Sequence, residues 1–271
     1  MQKYTALIMD LKKSREYSFE NRNQIQTNIL KVIDILNNVF KTSLEKEVTF
    51  SGGDELQGLF SSAEAAYLYF RLFSMLVSPV KIRAGIGIGE WNVVVESEGS
   101  TAQDGSAYHN ARYAINSTKD GLGYAVLVYS GSSCDVTVNS LLCANSIITE
   151  KQSDYQNKVM LLSELLYPVD LYGIIDSFEL RKAVNLIIEK EKLHDYNLAD
   201  FSPEKIINDI AENDNDFFVT EGKVRGLPMQ LAKVMGVTRQ SVDRTIKNAN
   251  IYEARNLALA TVKYLKQLEE V

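Results

Sequence analysis

The stretch from Val48 to Phe60, VTFSGGDELQGLF, constrains this chain more than any other. Two short runs, Val48–Phe50 and Leu56–Phe60, flank adjacent glycines, which accept the positive backbone angles a tight hairpin turn demands. The pattern predicts two strands turning at Gly52 and Gly53, with Asp54 and Glu55 directly after the turn. A carboxylate at a hairpin tip is open to a cation or a phosphate-bound metal. The plainer alternative is ordinary turn chemistry, in which Asp54 only shapes the loop. The surrounding segments bear on that choice.

Tyr4–Met9 (YTALIM) is a continuous apolar run that suits a strand covered on both faces, and it ends at Asp10. An acid in that place needs a cation, a backbone amide or solvent. Ile25, Ile29, Val32, Ile33, Leu36, Val39 and Phe40 recur at helical spacing, predicting an amphipathic helix over 21–40. Ser61 and Glu64 fit a capping box opening a second helix to about Val77, and Pro79 breaks it before a strand over Val80–Gly89. Ala107, Ala111, Ala114 and Ile115 mark a helix whose small-residue face suits close packing on a sheet. Gly121 is its expected stop, and Tyr124–Tyr129 is the next strand. Strand, helix, hairpin, helix, strand, helix, strand predicts an α+β, ferredoxin-like sheet, antiparallel or mixed, with helices on one side. That topology brings Asp10 beside Asp54.

Adjacent carboxylates repel unless a divalent ion lies between them. Mg²⁺ (or Mn²⁺) suits such a pair, because Mg²⁺ takes one or two carboxylates and completes its shell with water and phosphate oxygens. Paired ions can clamp the attacking and leaving oxygens of phosphoryl transfer. The alternative is that Asp10 caps a loop. Only two histidines, His109 and His194, argue against zinc hydrolase and Ser-His-Asp chemistry. Cys134 and Cys143 are the only cysteines, which argues against a disulfide framework and for a reducing cytoplasm. No apolar run approaches the roughly 20 residues of a membrane span, and the N-terminus lacks a secretory pattern, so no membrane partner is expected.

The charge balance is uneven. Residues 1–220 carry 20 Lys+Arg against 30 Asp+Glu, while residues 221–271 carry 9 against 5. A basic C-terminal segment on an acidic chain hints at a separate partner, nucleic acid among the options. Helical patterns over Leu141–Ile148, Val159–Leu166 and Leu180–Ile188 predict a connector, with Pro203 and the acidic Glu212–Asp216 before a boundary. The expected division is 1–130, an α+β domain; 131–216, a helical connector; and 217–271, an all-α helix-turn-helix domain. In that last segment Gly236 can end a helix in the left-handed conformation, and Thr238 is a ready N-cap for the next. Val242, Ile246 and Ala249 share one face of the second helix. Gln240, Arg244, Lys247 and Asn248 share the opposite one, with Arg239 near the start. That set suits phosphates and base edges in a DNA major groove; the alternative is a packing hairpin with solvated cations. Ala254, Leu257, Leu265 and Leu268 form a stripe on the final helix that would serve a homodimer.

The series IMDLKKSR, FSGGDELQGLF, KIRAGIGIGEW and DGSAYHNARYAI resembles the SatD family over nearly the whole chain. Members of that family pair such an N-terminal region with a C-terminal helix-turn-helix. More remotely, the first half resembles the palm-type domains of class III nucleotide cyclases and GGDEF diguanylate cyclases. There, an Asp ending the first strand and an acid in the hairpin bind the metals of a nucleoside triphosphate. The resemblance implies Asp10 and Asp54 as metal ligands with Glu55 as a third, and Gly52, Gly53, Lys12, Asn110 and Arg112 around a nucleotide. The chain departs from those patterns at Leu56, where GGDEF enzymes carry an aromatic. It departs again at Asn110 and Arg112, two apart where cyclases place an Asn and an Arg four apart, with Ala at position 114. Residues two apart on a helix face different directions, so a catalytic cation would have to come from Lys12, Lys13, Arg15 or Arg112, or be missing. His109 would either meet a base or phosphate or lie on the surface. Three readings stay open: a nucleotide- and metal-binding regulator that binds DNA, a Mg-dependent cyclase or other nucleotide-processing enzyme, or an interaction module with neither activity.

Overall fold

A computed structural model describes residues 2–12, 19–119, 124–180, 182–183 and 217–270. The expected Gly121, Lys13, Arg15, Pro203 and Glu212–Asp216 features, and most of the Leu180–Ile188 helix, lie outside the described residues. The elements run β1 (Tyr4–Leu11), α1 (Phe19–Val39), β2 (Leu44–Gly52), β3 (Glu55–Phe60), α2 (Ala63–Leu76), β4 (Ile82–Gly89), α3 (Ser106–Thr118) and β5 (Val126–Tyr129). Helices α4 (Asp135–Thr149), α5 (Asp154–Leu166), α6 (Ser177–Leu180), α7 (Leu227–Met235), α8 (Arg239–Asn248) and α9 (Ile251–Glu270) follow.

The five strands form one mixed sheet in the order β2-β3-β1-β4-β5. β1 pairs antiparallel with β3 and β4, and β5 joins β4 in parallel. The first four strands therefore have the ferredoxin-like order, and β5 extends the sheet through the α3 crossover. Alternate side chains of a strand face opposite ways. Leu7 and Met9 join the core that holds α1 and α2, whereas Ala6 and Ile8 pack with Ala107, Ala111 and Ile115 of α3. Helices thus cover both faces, which corrects the expectation of helices on one side. The physical reason is the alternation in β4. A Cβ on Gly85 would stand 2.2 Å from the Ala111 carbonyl oxygen, and one on Gly87 would stand 2.0 Å from the Ala111 nitrogen. Only bare backbone lets α3 approach this closely.

Two local expectations also change. Gly53 (φ 61°) carries the positive angle of the hairpin, while Gly52 is a strand residue opposite Glu55. Ser62, not Ser61, caps α2 by accepting from the Ala65 amide, because the amide and hydroxyl of Ser61 both bond to the Ser43 carbonyl. Glu64 is buried instead, with Lys266 of α9 at 3.5 Å.

The C-terminal helices share the sheet's core. The apolar cluster runs from Leu7 to Leu268 without a break, and α9 packs on α2 and α4. Ala254, Leu265 and Leu268, read as a dimer stripe, are buried by this chain itself. One buried charge network joins the layers. Arg71 of α2 forks onto Glu164 of α5 with contacts of 2.7 and 2.8 Å. Arg255 of α9, fully buried, bonds the same carboxylate and donates to the Tyr167 carbonyl at 2.7 Å. Among the described residues no helix is long and apolar enough to cross a membrane.

Candidate functional site

Strand register assembles the site. Asp10 lies opposite Glu55 of β3 and opposite Arg83 of β4, so the three side chains form a row on one face at one end of the sheet. The row continues the face that Ala6 and Ile8 present to α3. Two cations descend from that helix. Arg112 grips Glu55 with both ends of its fork, one contact at 2.7 Å, and Lys119 stands 3.9 Å from Asp10. Seven residues separate Arg112 from Lys119, which puts both on one helix face. Arg83 donates to the other Asp10 oxygen through Nε, and Ser51 donates to Glu55 at 2.9 Å. Asp10 is nearly buried, whereas the side chains of Arg112 and Lys119 are 44% and 41% exposed, so the row opens to water from above.

The electrostatics follow from these contacts. The Arg112 fork holds the Glu55 carboxyl below its ordinary range, outweighing partial burial, and Glu55 in turn raises Arg112. Two carboxylates face to face on neighbouring strands are tolerable because each has its own guanidinium. Asp54 differs. It sits half-buried at the hairpin turn, and its side chain has no partner among the described residues.

The sequence-predicted residues divide accordingly. Asp10, Glu55 and Arg112 come together, with Gly52, Gly53 and Asp54 at the adjoining tip. Lys12 does not join them, because it pairs with Glu150 at the end of α4, 3.2 Å away. Asn110 also stands apart, donating to the Ile88 carbonyl at 2.7 Å near the Gly89 end of the sheet. Arg112 and Asn110 therefore reach different strands, β3 at Glu55 and β4 at Ile88. His109 is a surface residue, 74% exposed, 3.3 Å from Asp104. Arg83 and Lys119 are the residues sequence reasoning missed. The seven-residue spacing from Arg112 was a signal for Lys119, while Arg83 needed the strand register.

As a metal donor set, the row offers hard oxygens from Asp10, Glu55 and Asp54, the kind Mg²⁺ prefers. Among the described residues no three such groups converge as a ready-made cage. A divalent ion fits here only if the arginines exchange partners.

The second candidate surface lies on α8. This helix follows α7 through Gly236, in the left-handed conformation, then Val237 and the N-cap Thr238, which accepts from the Ser241 amide. Val242, Ile246 and Ala249 are buried, and Arg239, Gln240, Arg244, Lys247 and Asn248 are all exposed. Arg239 leans on Asp243 at 3.4 Å, while Arg244 and Lys247 have no charged partner among the described residues.

No curated protein matches this sequence. Among solved structures, one described as a bacterial light-regulated adenylyl cyclase overlaps with a TM-score of 0.35 and 13% identity, covering 46% of this chain and 74% of that one. A second of the same description gives 0.35 and 14%, covering 51% of this chain and 44% of that one. Overlaps this loose leave the topology to be read from the strands themselves. The profile of the SatD family matches residues 4–199, from β1 past the last described residue of the central helices. The chain belongs to the SatD family.

Proposed function

We propose that this chain is a regulator that takes a metal-bound nucleotide on the α3 face of its sheet and contacts DNA through α8. The observation that carries this reading is the row Glu55–Asp10–Arg83 beneath Arg112 and Lys119, with Asp54 at its edge. Two carboxylates and three cations, open to water, are the components of a site for a polyphosphate with its cation. Asp10, Asp54 and Glu55 would hold Mg²⁺ or Mn²⁺, whose chemistry there is to offset phosphate charge. Arg83 and Arg112 then turn from carboxylate to phosphate oxygens, which they match with the same planar fork. Lys119 adds a third positive charge. In the ligand-free protein the same guanidiniums neutralise the acids, so the site avoids bare carboxylate repulsion in either state.

DNA contact is supported by the chemistry of α8. Arg244 and Lys247 supply phosphate charge, and Gln240 and Asn248 supply amides that can pair with adenine edges. A direct test is binding of the full chain to duplex DNA at several salt concentrations. A steep loss of affinity with salt, flattened by Arg244→Ala with Lys247→Ala, is expected. Binding that ignores both substitutions contradicts the assignment to α8.

The three cations around the row also favour one second reading, a Mg-dependent nucleotide-processing enzyme, because phosphoryl transfer uses such charges on transferring oxygens. Chromatography of nucleoside triphosphates incubated with the protein separates the two. Unchanged nucleotide supports the sensor, and product that disappears in Asp54→Asn supports the enzyme.

A further inference from the structure

On the opposite face of the sheet from the charged row, α2, α4 and α5 meet the starts of β4 and β5 around a half-open cavity of about 120 Å³. Phe70, Leu142 and Met160, each nearly buried, give it apolar walls, and Met75 adds a flexible thioether. Gln152 lines the same space and is only 8% exposed. Its amide nitrogen donates to the Ala249 carbonyl at the end of α8, 2.8 Å away. Its Oε1 is buried and has no hydrogen-bond partner among the described residues. A buried acceptor left unmatched is unfavourable, and groups of this kind are rare in folded proteins.

We infer that this cavity is a binding site for a small neutral ring compound carrying one N–H or O–H donor. Size sets the first limit, since apolar cavities of about 150 Å³ admit benzene, so one ring fills this one. Chemistry sets the second: the walls take the ring, and Gln152 Oε1 takes the donor. Charge sets the third. Of the ionised side chains around the cavity, Arg71 is matched by Glu164 and Glu150 by Lys12, and Lys81 is exposed to water, so a charge buried beside Gln152 would have no buried counter-ion. Gln152 bonds to Ala249, and Asn145, also lining the cavity, donates to the Ala254 carbonyl of α9 at 3.1 Å. The site therefore touches the segment that carries α8. It shares no residue with the charged row and does not depend on the nucleotide reading.

Phenol and toluene, equal in size and differing in one donor, are the probes. With methyl-labelled methionines in the full chain, phenol should shift the Met75 and Met160 resonances saturably and raise the unfolding midpoint. Toluene should bind at least tenfold more weakly. Ala125→Leu, which fills the cavity from the residue before β5, should abolish both responses while the far-ultraviolet spectrum stays native. Gln152→Leu should bring phenol down to the level of toluene. Equal affinity for the two probes in the wild type, no saturable shift with either, or phenol binding that survives Ala125→Leu each overturns the site. No saturable shift with either probe would leave Gln152 satisfied by a water only.

Discussion

Arg71, Glu164 and Arg255 sit inside the protein, while Asp10, Glu55, Arg83, Arg112 and Lys119 sit at one open end of the sheet. Both networks pair acids with arginine forks, and both bridge separate elements. In the buried one, desolvation alone would push the Glu164 carboxyl up, and the two facing guanidiniums, Arg255 and Arg71, override it and hold the carboxyl low. Its remaining bonds go to backbone, including Val169 and Tyr167, so no capacity is left for a ligand. Beside the open one, the Asp54 carboxylate has no partner among the described residues, and Arg112 and Lys119 face water. Burial turns the same pairing chemistry from a water-facing row into a weld between α2, α5 and α9.

The largest expected effect comes from breaking the weld. Glu164→Gln leaves two guanidiniums buried against each other without a counter-charge, and removing one partner of a buried pair costs about 3–5 kcal/mol. Urea unfolding should show that loss, and a change below about 1 kcal/mol would mean water reaches the network. At the open row, Arg112→Ala should cost about 1 kcal/mol or less, since a solvent-facing pair contributes little. The same variant should weaken metal-dependent nucleotide binding at least tenfold by calorimetry. A large stability loss with unchanged binding would place Arg112 with the structural network instead. Smaller still, Arg244→Ala with Lys247→Ala should leave stability within about 0.5 kcal/mol, because both side chains project from α8 into solvent.

The weakest effect is a pH dependence. Glu55 has a folded-state pKa below its unfolded value, chiefly through the Arg112 hydrogen bonds. The unfolded chain therefore binds its proton first as pH falls. The contribution is complete above the ordinary carboxylate range and is lost as pH falls through the depressed folded value. The stability difference between wild type and Glu55→Gln, followed from pH 7 to pH 3, should shrink toward the acid end. A difference that grows toward acid would reverse the assignment of Arg112 as its partner.

Much of the sheet was legible because its signals are local. The apolar run ending at Asp10, the glycine turn and the small-residue face of α3 each lie within a short stretch. What escaped the sequence was set by distance along the chain. Arg83 enters the row only through a register spanning 73 residues, and Lys12 leaves it for Glu150, 138 residues away. The face of the sheet that α3 covers was written in Gly85 and Gly87, whose missing side chains mark where a helix must approach. The stripe on α9 reads as a surface until α2 and α4 are seen against it. Apolar periodicity reports that a face is covered, not by which element.

The central claim is that the open row exchanges its arginines for a metal-bound nucleotide. The most direct measurement is the unfolding midpoint of wild type and of Asp10→Asn/Asp54→Asn, with Mg²⁺ or Mn²⁺ and each nucleoside triphosphate in turn. A ligand at 100 times its Kd adds about 2.7 kcal/mol, roughly 5–10 °C for a chain of this length. The account predicts a rise that needs both metal and one nucleotide and is absent from the double variant. No rise with any nucleotide, or an equal rise in the double variant, would contradict it.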